Sequence, residues 1–99
     1  MRRQVRWSLE AVSTFEQTIS YLENYWSQKE VDHFIDATDR VIHFISENPK
    51  LFRGTNLKGV REALITPQNL LIYKIYPNHI DLISFWDTRR NPRLKPKTK

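Results

Sequence analysis

The 99-residue chain has no cysteine, two glycines and one methionine, and its longest uninterrupted apolar run is Leu70-Leu71-Ile72-Tyr73. The absence of cysteine excludes a disulfide framework, a thiolate nucleophile and a Cys-ligated zinc. Two glycines leave no Gly-rich loop to cradle a phosphate, and no Gly-x-Ser-x-Gly nucleophile elbow occurs, so a nucleotide-binding or serine-nucleophile enzyme is not expected. An apolar run of that length is far short of the roughly 20 residues that cross a bilayer. The segment Met1-Arg2-Arg3-Gln4-Val5-Arg6 carries charge with no apolar stretch behind it, unlike a secretory leader. His33 and His43 are ten apart in one helical pattern and His79 falls in a turn, so metal-ligand spacing is absent. These absences describe a soluble, unprocessed, cytoplasmic protein with no expected metal or cofactor.

What is present suffices for one core. The chain is 39% hydrophobic, with three Trp, four Tyr and five Phe, and aromatics bury the most apolar area per residue. A chain of this length buries only roughly 60 to 65% of its unfolded surface, so a single domain is expected. Charge is divided unevenly. Residues 1–49 hold five Lys or Arg against eight Asp or Glu, while residues 50–99 hold eleven against three. An excess of +8 in the second half attracts polyanions or an acidic protein, and equally suits a solvated surface.

Periodicity divides the chain in the same place. Gln4-Val5-Arg6-Trp7 alternates as an edge strand does, with Val5 and Trp7 on one side. Leu9, Val12, Phe15, Ile19, Leu22 and Trp26 then recur at steps of three and four, predicting a helix from about Ser8 to Asn24. Ser8 is placed to cap it, with Glu10 and Glu16 towards the positive end of the helix dipole. Ser27-Gln28-Lys29-Glu30 has the Ser-x-x-Glu form of a capping box. A second helix carrying Val31, Phe34, Ile35, Thr38, Val41, Ile42 and Ile45 runs on to Asn48-Pro49, where proline ends it. The short connection folds the pair into an antiparallel hairpin.

From Lys50 the period becomes two. A loop over Lys50 to Lys58 precedes a strand containing Val60, Glu62 and Leu64, a turn at Thr66-Pro67-Gln68-Asn69, a strand from Leu70 to Tyr76, a turn at Pro77-Asn78-His79 and a strand from Ile80 to Trp86. One face of this meander must be covered, and only the helical hairpin offers apolar surface to cover it. The expected class is α+β: an N-terminal strand and a two-helix antiparallel hairpin packed on a small antiparallel β-sheet. We assign residues 1–92 to one domain, with an ordered corner near Asp87 to Pro92, and residues 93–99 to a basic flexible tail.

Candidate function rests on cations near the sheet: Lys58, Arg61, Lys74, Arg89, Arg90 and Arg93. If the helices cover the face of Val60, Leu64 and Ile72, Arg61 and Lys74 point to an open face or rim near Arg89 and Arg90. Guanidinium groups gathered there can grip a phosphate through paired hydrogen bonds. Tyr73, Tyr76 and Trp86 offer surfaces on which a base can stack, although a place in the core is the preferred reading for Tyr73 and Trp86 from the residues alone.

The Trp-Ser start of the first helix, Thr18-Ile19-Ser20-Tyr21-Leu22-Glu23, Trp26-Ser27-Gln28-Lys29-Glu30-Val31, Ile45-Ser46-Glu47-Asn48-Pro49, Leu71-Ile72-Tyr73-Lys74-Ile75 and Phe85-Trp86-Asp87-Thr88-Arg89-Arg90-Asn91-Pro92, taken in order, resemble the RelE/ParE superfamily of toxins from bacterial type II toxin–antitoxin modules. The resemblance spans nearly the whole chain. It implies a RelE/ParE-like fold and a plasmid-stabilisation or stress-response toxin neutralised by a small cognate antitoxin.

Two mechanisms follow from the resemblance. RelE-like members are metal-independent endoribonucleases, mRNA interferases that cleave message on the ribosome by activating a ribose 2′-hydroxyl; ParE-like members bind DNA gyrase and poison it. By position, Arg61 resembles the phosphate-binding arginine of the ribonucleases, and Arg89 or Arg90 the arginine that stabilises the cleaved phosphate. Lys58, Lys74 and Arg93 supply further charge for RNA, with Tyr73 and Tyr76 for stacking. The ribonucleases commonly place a Tyr or His near the C-terminus, and after Trp86 this chain has neither. The expectation is ribosome-dependent mRNA cleavage, with gyrase poisoning as the alternative and a toxin homologue that only binds its antitoxin as a third.

Overall fold

The computed structural model describes residues 2–89, so Arg90, Arg93 and the expected tail lie outside the described residues. Strand β1 (Gln4–Trp7) leads into helices α1 (Leu9–Tyr25) and α2 (Gln28–Glu47), followed by β2 (Arg53–Gly54), β3 (Val60–Thr66), β4 (Asn69–Ile75) and β5 (His79–Asp87). The five strands form one sheet in the order β1-β5-β4-β3-β2, antiparallel throughout except that β1 runs parallel to β5. The α+β architecture expected from periodicity is the one observed, with the helical hairpin on one face. The two-residue β2, inside the segment expected to be a loop, pairs with Arg61 and Glu62.

The first helix starts as its sequence dictates. The Ser8 hydroxyl accepts from the Ala11 amide at 3.0 Å, and also donates to the Ile83 carbonyl at 2.9 Å, so one side chain caps α1 and pins it to β5. One turn on, the Thr14 hydroxyl donates to the Glu10 carbonyl at 2.7 Å and accepts from the Phe85 amide at 2.9 Å. That amide lies just past an irregularity in the β4–β5 register, where ladder pairing is interrupted. Ala11, wholly buried, lets the helix approach the sheet closely enough for both bonds. Ser27 takes the N-cap position of α2 but makes no side-chain cap bond, so the expected capping box is not formed.

The strands bury both of their faces, in two different ways. On the helix side, Ala63, Ile65, Leu71, Tyr73, Ile80, Leu82 and Phe85 pack with Ala11, Phe34, Ala37 and Ile45. On the outer side, Val60, Ile72 and Trp86 form a second cluster with Leu70 and Ile83 against it. This reverses the orientation expected from the sequence, which put Val60, Leu64 and Ile72 under the helices; Leu64 is instead 54% exposed. Period-two alternation identifies two faces and cannot rank them when both are apolar. Gly59 closes the turn into β3 at φ 77°, where a Cβ would meet the Ile75 carbonyl at 3.3 Å.

Candidate functional site

Arg61 follows the reversal. It pairs across the ladder with Tyr73, on the helix side of β3, and its guanidinium donates to the carbonyls of Phe52 at 2.6 Å and Lys50 at 3.3 Å. Tyr73, fully buried beside it, donates its hydroxyl to the Pro49 carbonyl at 2.6 Å. These two side chains satisfy carbonyls that the chain leaves unpaired as it exits α2, clasping the segment 49–52 to the sheet. Burial pushes the Tyr73 pKa up to about 12, and the nearby Arg61 charge partly offsets that rise. The Tyr73 ring lies under the helices, out of reach of a stacking base, which corrects the expectation that it presents an open aromatic surface.

Arg89 is elsewhere. Asp87 lies opposite Asn69 while Arg61 lies opposite Tyr73, a separation of four positions along β4, or about 13 Å at the usual strand rise. The Arg89 guanidinium chelates the Asp87 carboxylate through Nε at 3.0 Å and Nη2 at 2.7 Å. Those bonds, with a further one to Tyr21, hold its pKa above the ordinary arginine value. The group borders a cleft of about 240 Å³ between α1 and the sheet, with Phe85 as apolar lining and Thr14, Gln17 and Asn69 as polar lining. The structure therefore does not bring Arg61 and Arg89 together. Arg90 lies outside the described residues.

The remaining candidates gather on the outer face. Lys74 lies opposite Val60, its ammonium 5.2 Å from the centre of the Tyr76 ring. Tyr76 is stacked flat on His79 at 4.6 Å, so one face of its ring is already taken. His79 turns Nε2 to Asp81 at 3.3 Å and Nδ1 to the Asn78 side-chain oxygen at 2.9 Å. Both ring nitrogens thus lie against neighbouring side chains on the outer face. Lys58 is exposed in the turn before Gly59, the residue that lies against Lys74; Arg93 lies outside the described residues. His79 and Asp81 were missed because the sequence reading placed His79 in a turn. Their spacing of two on a strand, which sets both on one face, was the signal.

A helical hairpin on a five-stranded sheet thus carries its cations at several separate points among the described residues. A family model for the ParE toxin of type II toxin–antitoxin systems, parDE, matches residues 5–92. The chain belongs to this family. Among solved structures, the chromosomal ParDE toxin–antitoxin system from P. aeruginosa is similar at TM-score 0.73 and 9% identity, over 87% of this chain and 96% of that one. The E. coli DinJ–YafQ toxin–antitoxin complex gives 0.62 at 13% identity, over 88% and 93%. The YoeB dimer from Staphylococcus aureus gives 0.59 at 20% identity, over 85% and 94%. At these identities the likeness is one of fold. A comparison with curated protein sequences gives no match.

Proposed function

We propose that this toxin, held in check by a small antitoxin, acts by binding DNA gyrase and poisoning it, and does not cleave RNA. The observation that carries this reading is the separation of Arg61 from Arg89, each holding partners of its own within the fold. Metal-free cleavage of RNA needs a base, an acid and a phosphate clamp within hydrogen-bond reach of one phosphodiester. Among the described residues those roles do not converge: Arg61 holds the carbonyls of Lys50 and Phe52, Arg89 chelates Asp87, and His79 is occupied at both nitrogens. A gyrase poison needs a complementary surface and no catalytic set. Membership of the ParE toxin family supports the same direction, and the likeness to the ParDE system and the DinJ–YafQ toxin–antitoxin complex supports the antitoxin.

The antitoxin that fits is acidic. The cations of the second half of the chain and the exposed aromatics of α1, Tyr21, Tyr25 and Trp26, suit an amphipathic acidic segment that folds as it binds. The test is a supercoiling reaction with purified gyrase. The free toxin is expected to inhibit it and to accumulate cleaved DNA, and addition of the antitoxin to restore it; unaffected gyrase contradicts the reading.

A further inference from the structure

The outer face of the sheet carries an ordered row of charge that the gyrase reading does not use. In β5, Asp81 lies between two cations in register, Arg6 on β1 and Lys74 on β4. His79, two residues earlier on the same face, contacts the same carboxylate at 3.3 Å. Lys58 is exposed in the turn before Gly59, and Gly59 itself lies against the Lys74 side chain. One carboxylate is thus flanked by Arg6, Lys74 and an imidazole on the outer face of the sheet. Cross-strand neighbours lie about 4.8 Å apart, so the row extends across the strands instead of forming a pocket. An array of that shape meets successive phosphates of a polymer better than it encloses a small anion.

The aromatics decide what kind of polymer. Unpaired bases are held by open aromatic faces, and this surface has few to give. Tyr73 is fully buried on the other side, Trp86 is 4% exposed, and Tyr76 is covered on one face by His79. The row therefore offers phosphate contacts without stacking platforms, which is the chemistry of sequence-independent binding to a duplex backbone. We propose that Arg6 and Lys74, spaced by Asp81 and flanked by His79 and Lys58, bind the phosphodiester backbone of duplex DNA. The inference stands apart from the gyrase reading, because the contact is between this chain and DNA alone.

The test is fluorescence anisotropy of a short labelled DNA duplex with the full chain, titrated at several salt concentrations, beside a single-stranded RNA of equal length. Arg6→Gln with Lys74→Gln is expected to weaken duplex binding about tenfold and make the log–log salt slope shallower by about 2, one for each lost phosphate contact. Lys29→Gln, an exposed cation at the start of α2, is expected to change neither. Asp81→Asn is expected to tighten binding severalfold, a gain that a misfolded variant does not imitate. The proposal is overturned if the wild-type chain binds no duplex at low salt, if the double variant keeps the wild-type affinity and slope, or if Asp81→Asn fails to tighten. It is also overturned if the substitutions weaken RNA binding more than duplex binding.

Discussion

The two faces of one sheet are built from alternate residues of the same strands and do opposite things. On the helix side each polar group has a fixed partner. Arg61 and Tyr73 hold the carbonyls of segment 49–52, and Thr14 and Ser8 reach from α1 to the backbone of β5. On the outer side a smaller apolar cluster of Val60, Ile72 and Trp86 adjoins charges that neutralise one another only in part. Polar residues on the first face bring stability, because leaving a buried acceptor unpaired costs more than a hydrogen bond contributes. Those on the second lie on the face turned away from the helices. Residue type alone does not separate the roles: Arg61 and Lys74 are both cations on adjacent strands, on opposite faces.

Substitutions can break this contrast in order of size. Phe34→Ala, on the buried side of α2 in the aromatic group with Phe15 and Phe85, is expected to cost about 3 to 5 kcal/mol in a denaturant melt. Arg61→Ala is expected to cost about 1.5 to 3 kcal/mol, since a charged donor leaves two carbonyls, with gyrase inhibition surviving at temperatures where the variant is folded. A variant that keeps its stability but loses all toxicity would return Arg61 to the active surface.

Tyr73→Phe sharpens the comparison through pH. The folded state keeps the phenol protonated to about pH 12, whereas the unfolded chain releases the proton near the ordinary value of 10. Stability from this group is therefore complete below pH 10 and is lost as pH rises from there to about 12, by a few kcal/mol at most (~3). Tyr73→Phe is expected to remove that alkaline loss, and to cost about 1 kcal/mol at neutral pH through the missing bond to Pro49. Equilibrium unfolding across the alkaline range reads both effects. Smallest of all, Arg89→Ala removes an exposed ion pair and is expected to leave the unfolding midpoint unchanged.

Much of the fold was legible. The steps of three and four from Leu9 to Trp26 and from Val31 to Ile45 located both helices to within a residue or two, because an apolar stripe has one period and one place to go. Ser8 was legible as a cap for the same local reason. The failures were non-local. Which sheet face the helices cover was hidden because β3 and β4 are apolar on both sides, and that one inversion moved Arg61 from an open rim to a clasp. Its partners are backbone carbonyls of a loop, and carbonyls carry no signature in a sequence. Ser27 and Glu30 have the spacing of a capping box without making one, since spacing permits the bond and does not require it. The outer row was half legible: alternation puts Arg6, His79 and Asp81 on one face, but only the pairing of β1 with β5 sets Arg6 opposite Asp81.

The central proposal is that this toxin acts through gyrase, with no converged ribonuclease site among the described residues. The most direct measurement is pulse incorporation of labelled thymidine and methionine in bacteria during the first minutes after the toxin is induced without its antitoxin. Thymidine incorporation is expected to fall first while methionine incorporation persists; methionine incorporation collapsing first, with thymidine following, contradicts the account.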